Sequence, residues 1–387
     1  MSEYSKTSVE LTKKLSSSEK KEGGVYFTPG EDVDMMLKVV APFLSDVSYS
    51  SILEPSCGSC EIVDKIVEKY GKTVEMNEKN EMIYEEIKKK YTNATNEDFL
   101  AMDVDKKYDM VVGNPPFFVM KKGDVPEQYH KYFDGRPNIF IIFIAKTLEI
   151  LREGGVMSYI LPSSFMNCSY YEKMRKYIND TCQVIDVVEC KGKYLETAQS
   201  TIVFVVRKTN GNNTRYFVNG SFFPKANVKI LKRLLKKSTT LNKLGYEVRI
   251  GTVVWNQEKS LLTDDESKTR LIYSGDIKGG ILGKQVSKNP EKKHYIDMKG
   301  ERGAFLLVNR GYGVGEYVFS TCLVNVEYDI LVENHVMWIR GELEVLERIK
   351  RSFDDPRTKE FLDIYSQNSA LNSTEITKIL PIYNFSQ

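Results

Sequence analysis

Between residues 31 and 207, short apolar runs alternate with amphipathic segments of helical length. This alternation restricts the fold more than any other feature of the chain. EDVDMMLKVVAPFL places Val33, Met36, Leu37, Val40 and Leu44 at helical spacing, with acids in its first turn. The apolar run of SSILEPSCGS then ends in a Pro/Gly/Ser turn, and a helix over CEIVDKIVEKYG closes at Gly71. KTVEM reads as the next strand, KNEMIYEEIKKKY as a helix and YDMVVGNPP as a third strand. PNIFIIFIAKTLEILREGG is a helix with a glycine stop, VMSYILP a strand and YYEKMRKYIND a helix. The strands VIDVVEC and STIVFVVRK follow with no long helix between them, which favours an antiparallel pair. Strands alternating with helices predict an α/β fold with a parallel, doubly wound sheet.

The pattern changes after about residue 208. TNGNNTRYFVNG is turn-rich, and NVKILKRLLKKSTTLNKLG is a basic amphipathic helix. Short apolar runs separated by Gly, Asn and Asp turns come next, then a helical segment, GELEVLERIKRSF, and a loose tail. A separate mixed, β-rich domain is expected there. The expected division is a polar N-terminal segment (1–22), a catalytic domain (23–208), a linker with the basic helix (209–245) and a second domain (246–387). Residues 1–22 are expected to form a short helix or to stay mobile.

Charge separates the halves. Residues 1–210 carry about −4 and residues 211–387 about +6, with about +11 in 211–310 alone. A basic second half suggests an anionic partner, nucleic acid first. No apolar run reaches the length of a membrane span, so no membrane partner is expected. The N-terminal residues lack an apolar segment, so no secretory signal is expected either. Six cysteines in a chain of this length are not a disulfide framework, and reduced thiols in the cytoplasm are expected.

In an open parallel sheet, ligands bind beyond the C-terminal ends of the strands. Glu54-Pro55-Ser56-Cys57-Gly58, Glu75, Asp98-Phe99 and Asn114-Pro115-Pro116-Phe117 all fall at such ends. The first loop has one glycine where a dinucleotide fingerprint needs three, so no pyrophosphate cradle is provided. That disfavours a nicotinamide enzyme and suits a smaller nucleoside. Glu75 is placed to take ribose hydroxyls, and Asp98 to accept from the exocyclic amine of adenine. In the NPPF tetrapeptide two prolines fix the backbone and remove two N–H donors. Asn114 then offers an amide oxygen beside the Pro115 carbonyl, with the Phe117 ring one step on. Two acceptors can hold an NH₂ group, and a ring can stack on the flat molecule that carries it. Cys57 and Cys60 form a C-x-x-C, but no second pair at ligand spacing follows, so no metal is expected.

These motifs, in this order, resemble the S-adenosyl-L-methionine-dependent N6-adenine DNA methyltransferases of type II restriction–modification systems, in the gamma, Taq-type arrangement. The resemblance covers residues 23 to about 207. It implies a Rossmann-like methyltransferase sheet followed by a C-terminal target recognition domain. GGVYFTPGEDVDMML is similar to the motif lying over the methionine moiety, which implies Tyr26, Phe27, Thr28 and Pro29 as cofactor contacts. LEPSCGS is similar to the first nucleotide loop, VEMNEK supplies Glu75 with Met76, and NEDFL supplies Asp98 with Phe99. NPPF is similar to the catalytic NPPY/F tetrapeptide. GGVMSYILPSSF and STIVFVV look like later structural motifs, and Tyr194 is the candidate for a second stacking aromatic. GTVVWNQEKSLLTDD, LIYSGDI, LLVNRGYG and LVENHVMWI resemble recognition domains of type II enzymes from bacteria and large algal viruses. The implied partners are double-stranded DNA and a cognate restriction endonuclease acting on the same site.

The chemistry expected is direct displacement. Hydrogen bonds from the N6 hydrogens of a flipped-out adenine to Asn114 Oδ1 and the Pro115 carbonyl aim its lone pair at the sulfonium methyl, with no general base. The three histidines (His130, His294, His335) lie outside the catalytic motifs. Phe117 and Tyr194 would hold the two faces of the base. Lys232, Arg233 and Lys236 are placed for phosphate contacts, and Asn256, Gln257, Asn309 and Arg310 for base edges, with the Gly311-Tyr312-Gly313 turn beside Arg310. RNA adenine and protein glutamine amides are the competing substrates. A non-enzymatic specificity subunit is the competing class.

Overall fold

Among the described residues, seven strands of the N-terminal unit form one sheet: β1 (Ile52–Glu54), β2 (Val74–Asn77), β3 (Ala94–Thr95), β4 (Tyr108–Gly113), β5 (Leu151–Pro162), β6 (Gln183–Glu189) and β7 (Thr201–Arg207). The computed structural model describes all residues except 1–3, 103–104, 196, 198, 286–288, 311–317, 367–370 and 386–387. The strand order is β3-β2-β1-β4-β5-β7-β6. The pairs among β1 to β5 are parallel, and β7 is antiparallel to both β5 and β6. This is the expected Rossmann-like methyltransferase sheet. The last two strands do pair antiparallel, with β7 inserted between β5 and the edge strand β6.

Alternation along the central strands makes three layers. Val111, Met157, Tyr159 and Phe204 enter one core, while Met110, Val112, Val156, Val203 and Val205 enter the other. Successive strand residues point to opposite faces, so both faces must be covered. The first core is covered by α6 (Ile139–Ile150) and α7 (Glu172–Thr181). The second is covered by α1 (Lys6–Lys14), α3 (Gly30–Leu44), α4 (Glu61–Tyr70) and α5 (Glu81–Ile87). The polar N-terminal segment is helical: α1 sends Leu11 into this core, and α2 (Ser17–Gly23) starts at a Ser16–Glu19 capping box. Helix α6 stops at Ile150, earlier than the glycine pair suggests, and β5 begins at once with Leu151. The residues between Leu151 and Val156 form an irregularity in the pairing with β4, and Gly154 there takes φ +79°.

The hairpin β8 (Phe217–Val218) and β9 (Ser221–Phe222) leads into α8 (Lys225–Leu235). The chain divides into compact units at Lys229/Ile230, within α8. Val228, Leu231 and Leu234 form its buried stripe, and Lys229, Lys232 and Arg233 are exposed.

The C-terminal unit is built on β10 (Arg249–Ile250), β11 (Leu262–Thr263), β12 (Thr269–Ile272), β15 (Tyr295–Ile296), β16 (Glu301–Asn309), β17 (Thr321–Val332) and β18 (Val336–Arg340). Their order is β10-β18-β16-β17-β12-β15-β11, and a separate hairpin pairs β13 (Ile277–Lys278) with β14 (Ile281–Leu282). The pair β12–β17 is parallel and the other pairs are antiparallel, as a mixed, β-rich domain requires. The tail is ordered by helices rather than loose. After α9 (Leu343–Phe353) come α10 (Pro356–Tyr365) and α11 (Ser373–Lys378), and Tyr383 is fully buried.

Candidate active site

The C-terminal ends of β1, β2 and β4 open onto one cavity of about 510 Å³. That volume lies in the range of small-molecule sites, about 300–1,000 Å³. Glu54 ends β1 and faces it with a buried Oε2 that has no hydrogen-bond partner among the described residues. Pro55, Ser56, Cys57 and Gly58 form the floor, and Gly58 takes φ +53° with the Phe27 ring beside it. The second strand contributes Glu78, which accepts from the Gly58 N–H at 2.9 Å and the Asn80 N–H at 2.8 Å. Burial pushes the Glu54 carboxyl well above its usual range, and neighbouring acids including Glu61 and Glu78 push the same way. Burial also raises Glu61 and Glu78, with hydrogen bonds to each pulling back. Two buried carboxyls and a half-buried third against one cavity are a setting that a bound cation would stabilise.

Asp98 and Phe99 reach the cavity from the loop after β3. Asp98 accepts from the Leu100 N–H at 3.0 Å and pairs with Lys79 at 2.8 Å. Phe99 and Phe143 meet at a centroid distance of 5.0 Å and give the cavity an aromatic wall. Asn77 fastens these loops together. Its Nδ2 donates to the Pro55 and Glu97 carbonyls, and its Oδ1 accepts from the Glu97 N–H and the Thr95 hydroxyl.

Asn114 follows β4 directly. Its Nδ2 donates to Thr28 Oγ1 at 3.0 Å and the Tyr26 carbonyl at 3.4 Å, with the Tyr194 hydroxyl at 3.5 Å. Those contacts set the amide's orientation. Its Oδ1 is buried without a hydrogen-bond partner among the described residues. An unsatisfied buried acceptor costs about 1–3 kcal/mol, so its retention points to an incoming donor. The proline loop is backed by Gly24 at φ +62°, where a Cβ would lie 2.8 Å from the Phe117 nitrogen and 3.0 Å from Pro116 Cβ.

The structure gathers Tyr26, Phe27, Thr28, Glu54, Pro55, Ser56, Cys57, Gly58, Asp98, Phe99, Asn114 and Pro116 on this cavity. Glu75 is a correction. Its carboxylate bonds Lys106 and the Tyr108 hydroxyl, and it is not on the cavity wall. β2 runs Val74–Asn77, one residue past the KTVEM run, so the acid at the strand end is Glu78. Met76 is buried in the core behind the sheet. Pro29 caps the start of α3, and Pro115 is buried outside the cavity wall. Phe117 also lies off this wall, edge-on to Phe140 at 5.9 Å, and Phe118 lines the cavity in its place. Tyr194 has a half-buried ring, and burial raises the pKa of its hydroxyl. Cys57 and Cys60 are buried free thiols, and their mutual hydrogen bond and burial push Cys57 upward. Among the described residues no group of three His, Cys, Asp or Glu side chains is placed to hold a metal. Asn77, Glu61, Phe143 and Gly24 are absent from the sequence-based candidates. Only the GG pair before VYF signalled one of them.

The match to the family described as Eco57I restriction-modification methylase covers residues 5–195. Modification methylase CviBIII of Paramecium bursaria Chlorella virus NC1A is 32% identical over 98% of this chain and 99% of its own length. The chain belongs to this restriction-modification methylase family. Type II methyltransferase M.CvrRI, of Paramecium bursaria Chlorella virus XZ-6E, is 28% identical over 97% of this chain and 98% of its own. The crystal structure of the M protein of the type I restriction enzyme EcoKI superposes with a TM-score of 0.41, at 13% identity, over 59% of each chain. The protein is thus a type II restriction-modification DNA methyltransferase.

The methylase's candidate DNA contacts are scattered in character. Lys232 and Lys236 are exposed on or just after α8, while Arg233 is ion-paired with Glu360. Asn256 and Gln257 are exposed in a turn closed by the Gln257 N–H to the Val254 carbonyl. Asn309 clamps the end of β16, accepting from the Ser320 N–H at 2.9 Å and donating to the Val318 carbonyl at 3.0 Å. The clamp uses one donor and one acceptor of its amide. Arg310 bonds the His335 carbonyl through its backbone and approaches the Asn334 carbonyl at 3.5 Å. The Gly311-Tyr312-Gly313 turn lies outside the described residues. Among the described residues no helix is long and apolar enough to cross a membrane.

Proposed function

We propose that this methylase transfers the methyl group of S-adenosylmethionine to N6 of an adenine extruded from duplex DNA. It would be the modification half of a restriction–modification pair. The buried, partnerless Oδ1 of Asn114 on a proline-stiffened frame is the observation that carries this reading.

The cavity residues fit the donor. Glu54 and Glu78 are buried acids and Glu61 is half-buried beside them, a set suited to a ligand with sulfonium and ammonium groups. Asp98 would take the adenine amine, Glu78 a ribose hydroxyl, and Phe99 with Phe143 the purine face. Bound there, S-adenosylmethionine supplies an electrophilic methyl carbon. The chain's own residues do the rest. Asn114 Oδ1 and the Pro115 carbonyl accept the two N6 hydrogens, which turns a delocalised nitrogen towards tetrahedral geometry. Thr28 and Tyr26 hold the Asn114 amide so that its oxygen, not its nitrogen, meets the base. No side-chain base is required, since the proton leaves after transfer. Alignment of this kind can supply several kcal/mol of the barrier, within the limit of about 7–11 kcal/mol, and fixed dipoles add to it.

N6 is hidden in the duplex, so the base must leave the stack at a cost of about a few kcal/mol. Phe117 and Tyr194 are proposed to hold its faces, each contributing about 1–3 kcal/mol. Asn114→Ala should reduce methyl transfer at least a thousandfold while donor affinity, measured by titration, changes less than threefold. Turnover by that variant within tenfold of the natural chain would refute the assignment.

A further inference from the structure

The loop that carries Tyr194 is tied to a buried acid that the chemistry above does not use. Asp32, in the first turn of α3, is fully buried. Its Oδ1 accepts from the Gly192 N–H at 2.8 Å across 160 residues of sequence. Its Oδ2 is buried and unpaired among the described residues, while the Lys191 N–H and the Cys190 thiol of the same loop also bear on the carboxyl. The contact is close on both sides. A Cβ added to Gly192 would lie 2.7 Å from Asp32 Oδ1 and 2.7 Å from Pro29 Cβ. Two residues on, the Tyr194 hydroxyl stands 3.5 Å from Asn114 Nδ2. The same α3 segment follows Thr28, whose hydroxyl accepts from that nitrogen at 3.0 Å. The Tyr4 hydroxyl adds a second tie to the loop by donating to the Lys193 carbonyl at 2.9 Å.

Burying a carboxyl with one oxygen unpaired is expensive, and an apolar residue at this position of an amphipathic helix would avoid that cost. Violations of this kind are retained where they position something. We propose that Asp32 is a positioning residue: through the Gly192 N–H it holds the 190–194 loop against α3, and so sets Tyr194 over Asn114 and the extruded base. The proposal rests on the reading of Asn114 and Tyr194 given above. The tie acts on the target-base side. Asp32 and Gly192 are not on the wall of the donor cavity, so the donor should be insensitive to it.

Three variants of the full chain test this: Asp32→Ala removes the acceptor, Asp32→Asn restores one, and Gly192→Ala attacks the tie from the loop. Each is assayed for donor affinity, for kcat and KM on duplex DNA, and for 2-aminopurine fluorescence at the target base. Asp32→Ala and Gly192→Ala should each lower kcat at least tenfold and weaken the 2-aminopurine signal, with donor affinity changed less than twofold. Asp32→Asn should return kcat to within threefold of the natural chain. The double variant Asp32→Ala/Gly192→Ala should be no worse than the poorer single, because both cut one tie. Unchanged kcat in both alanine variants would overturn the proposal. So would parallel loss of donor binding, or failure of Asp32→Asn to recover. Should Asp32→Ala not fold, Gly192→Ala decides alone by the same criteria. If the natural chain makes no N6-methyladenine, the reading of the site fails; if it does and the alanine variants match it, this inference alone fails.

Discussion

Among the described residues Asn114 keeps one amide oxygen buried with nothing to accept from, and Glu54 does the same with one carboxyl oxygen, on the same cavity. Both violate the rule that buried polar atoms are paired, and each violation marks a different ligand: a donor of hydrogens at Asn114, a cation near Glu54. The second has a consequence for protons. Burial raises Glu54 and Glu78 above the ordinary 4.5, so the folded empty chain retains protons that the unfolded chain releases. Stability from these groups is therefore fully present below about pH 4.5 and lost as pH rises through the raised values. A cationic donor favours the ionised forms, so its binding should expel protons. Titration calorimetry stepped through the pH range above 4.5, in buffers of different ionisation enthalpy, should show net proton release, which Glu78→Gln should reduce. Proton uptake, or none, would contradict the electrostatic picture. At this scale the sequence was legible where chemistry is local. The NPPF spelling alone places two acceptors side by side. It was illegible where one residue of strand length decides which acid points inward. Glu75 and Glu78 differ only in which ends β2, and no local preference distinguishes them.

The helix–strand alternation of residues 31–207 determines the elements and, through two-sided burial, the layers. It does not reveal that α2 ends against the proline loop. Gly24 closes α2 in the left-handed conformation, with its nitrogen bonded to the Lys20 carbonyl. The space a Cβ would need is filled by the backbone of Phe117 and the ring of Pro116. A cap and a close approach thus fall on one residue. Gly24→Ala should push the proline loop by a few tenths of an ångström and lower kcat by about ten- to a hundredfold, since small misplacements at reacting groups are expensive. Gly71→Ala is the control. Gly71 also ends a helix with positive φ, but a Cβ there meets nothing within 4 Å. Thermal denaturation should show a loss at both positions, larger at Gly24 where the added Cβ also meets backbone, with turnover per folded molecule impaired only at Gly24. Equal turnover in the two would remove Gly24 from the site. The N-terminal helix carries the same lesson. Its polar sequence left a short helix and mobility both open, and in the structure Ser5 bonds Glu61 and Ser8 bonds Ser59 beside the donor cavity. Those are contacts of about 50 residues' separation, which no periodicity announces.

Over the whole molecule, charge is unequal, with the excess of lysine and arginine falling after residue 210. If duplex DNA is the partner, affinity must fall with salt by counterion release, at a slope of about 0.9 per neutralised phosphate. Lys236 is exposed just beyond α8, whereas Arg233 is already paired with Glu360. Lys236→Ala should lower that slope by about one and leave sequence preference unchanged; an unchanged slope would take Lys236 off the phosphate path. The β-rich character of the C-terminal unit was evident from its turn spacing, but its parallel β12–β17 pair and its helical tail were not. Both depend on contacts between distant segments, such as Thr239 with Ile382. One measurement tests the account most directly. The purified chain is incubated with isotopically labelled S-adenosylmethionine and duplex DNA, and the DNA is digested to nucleosides and analysed by mass spectrometry. Label in N6-methyladenine, absent with Asn114→Ala, is the predicted result. Label in a cytosine derivative, or none in DNA, would contradict it.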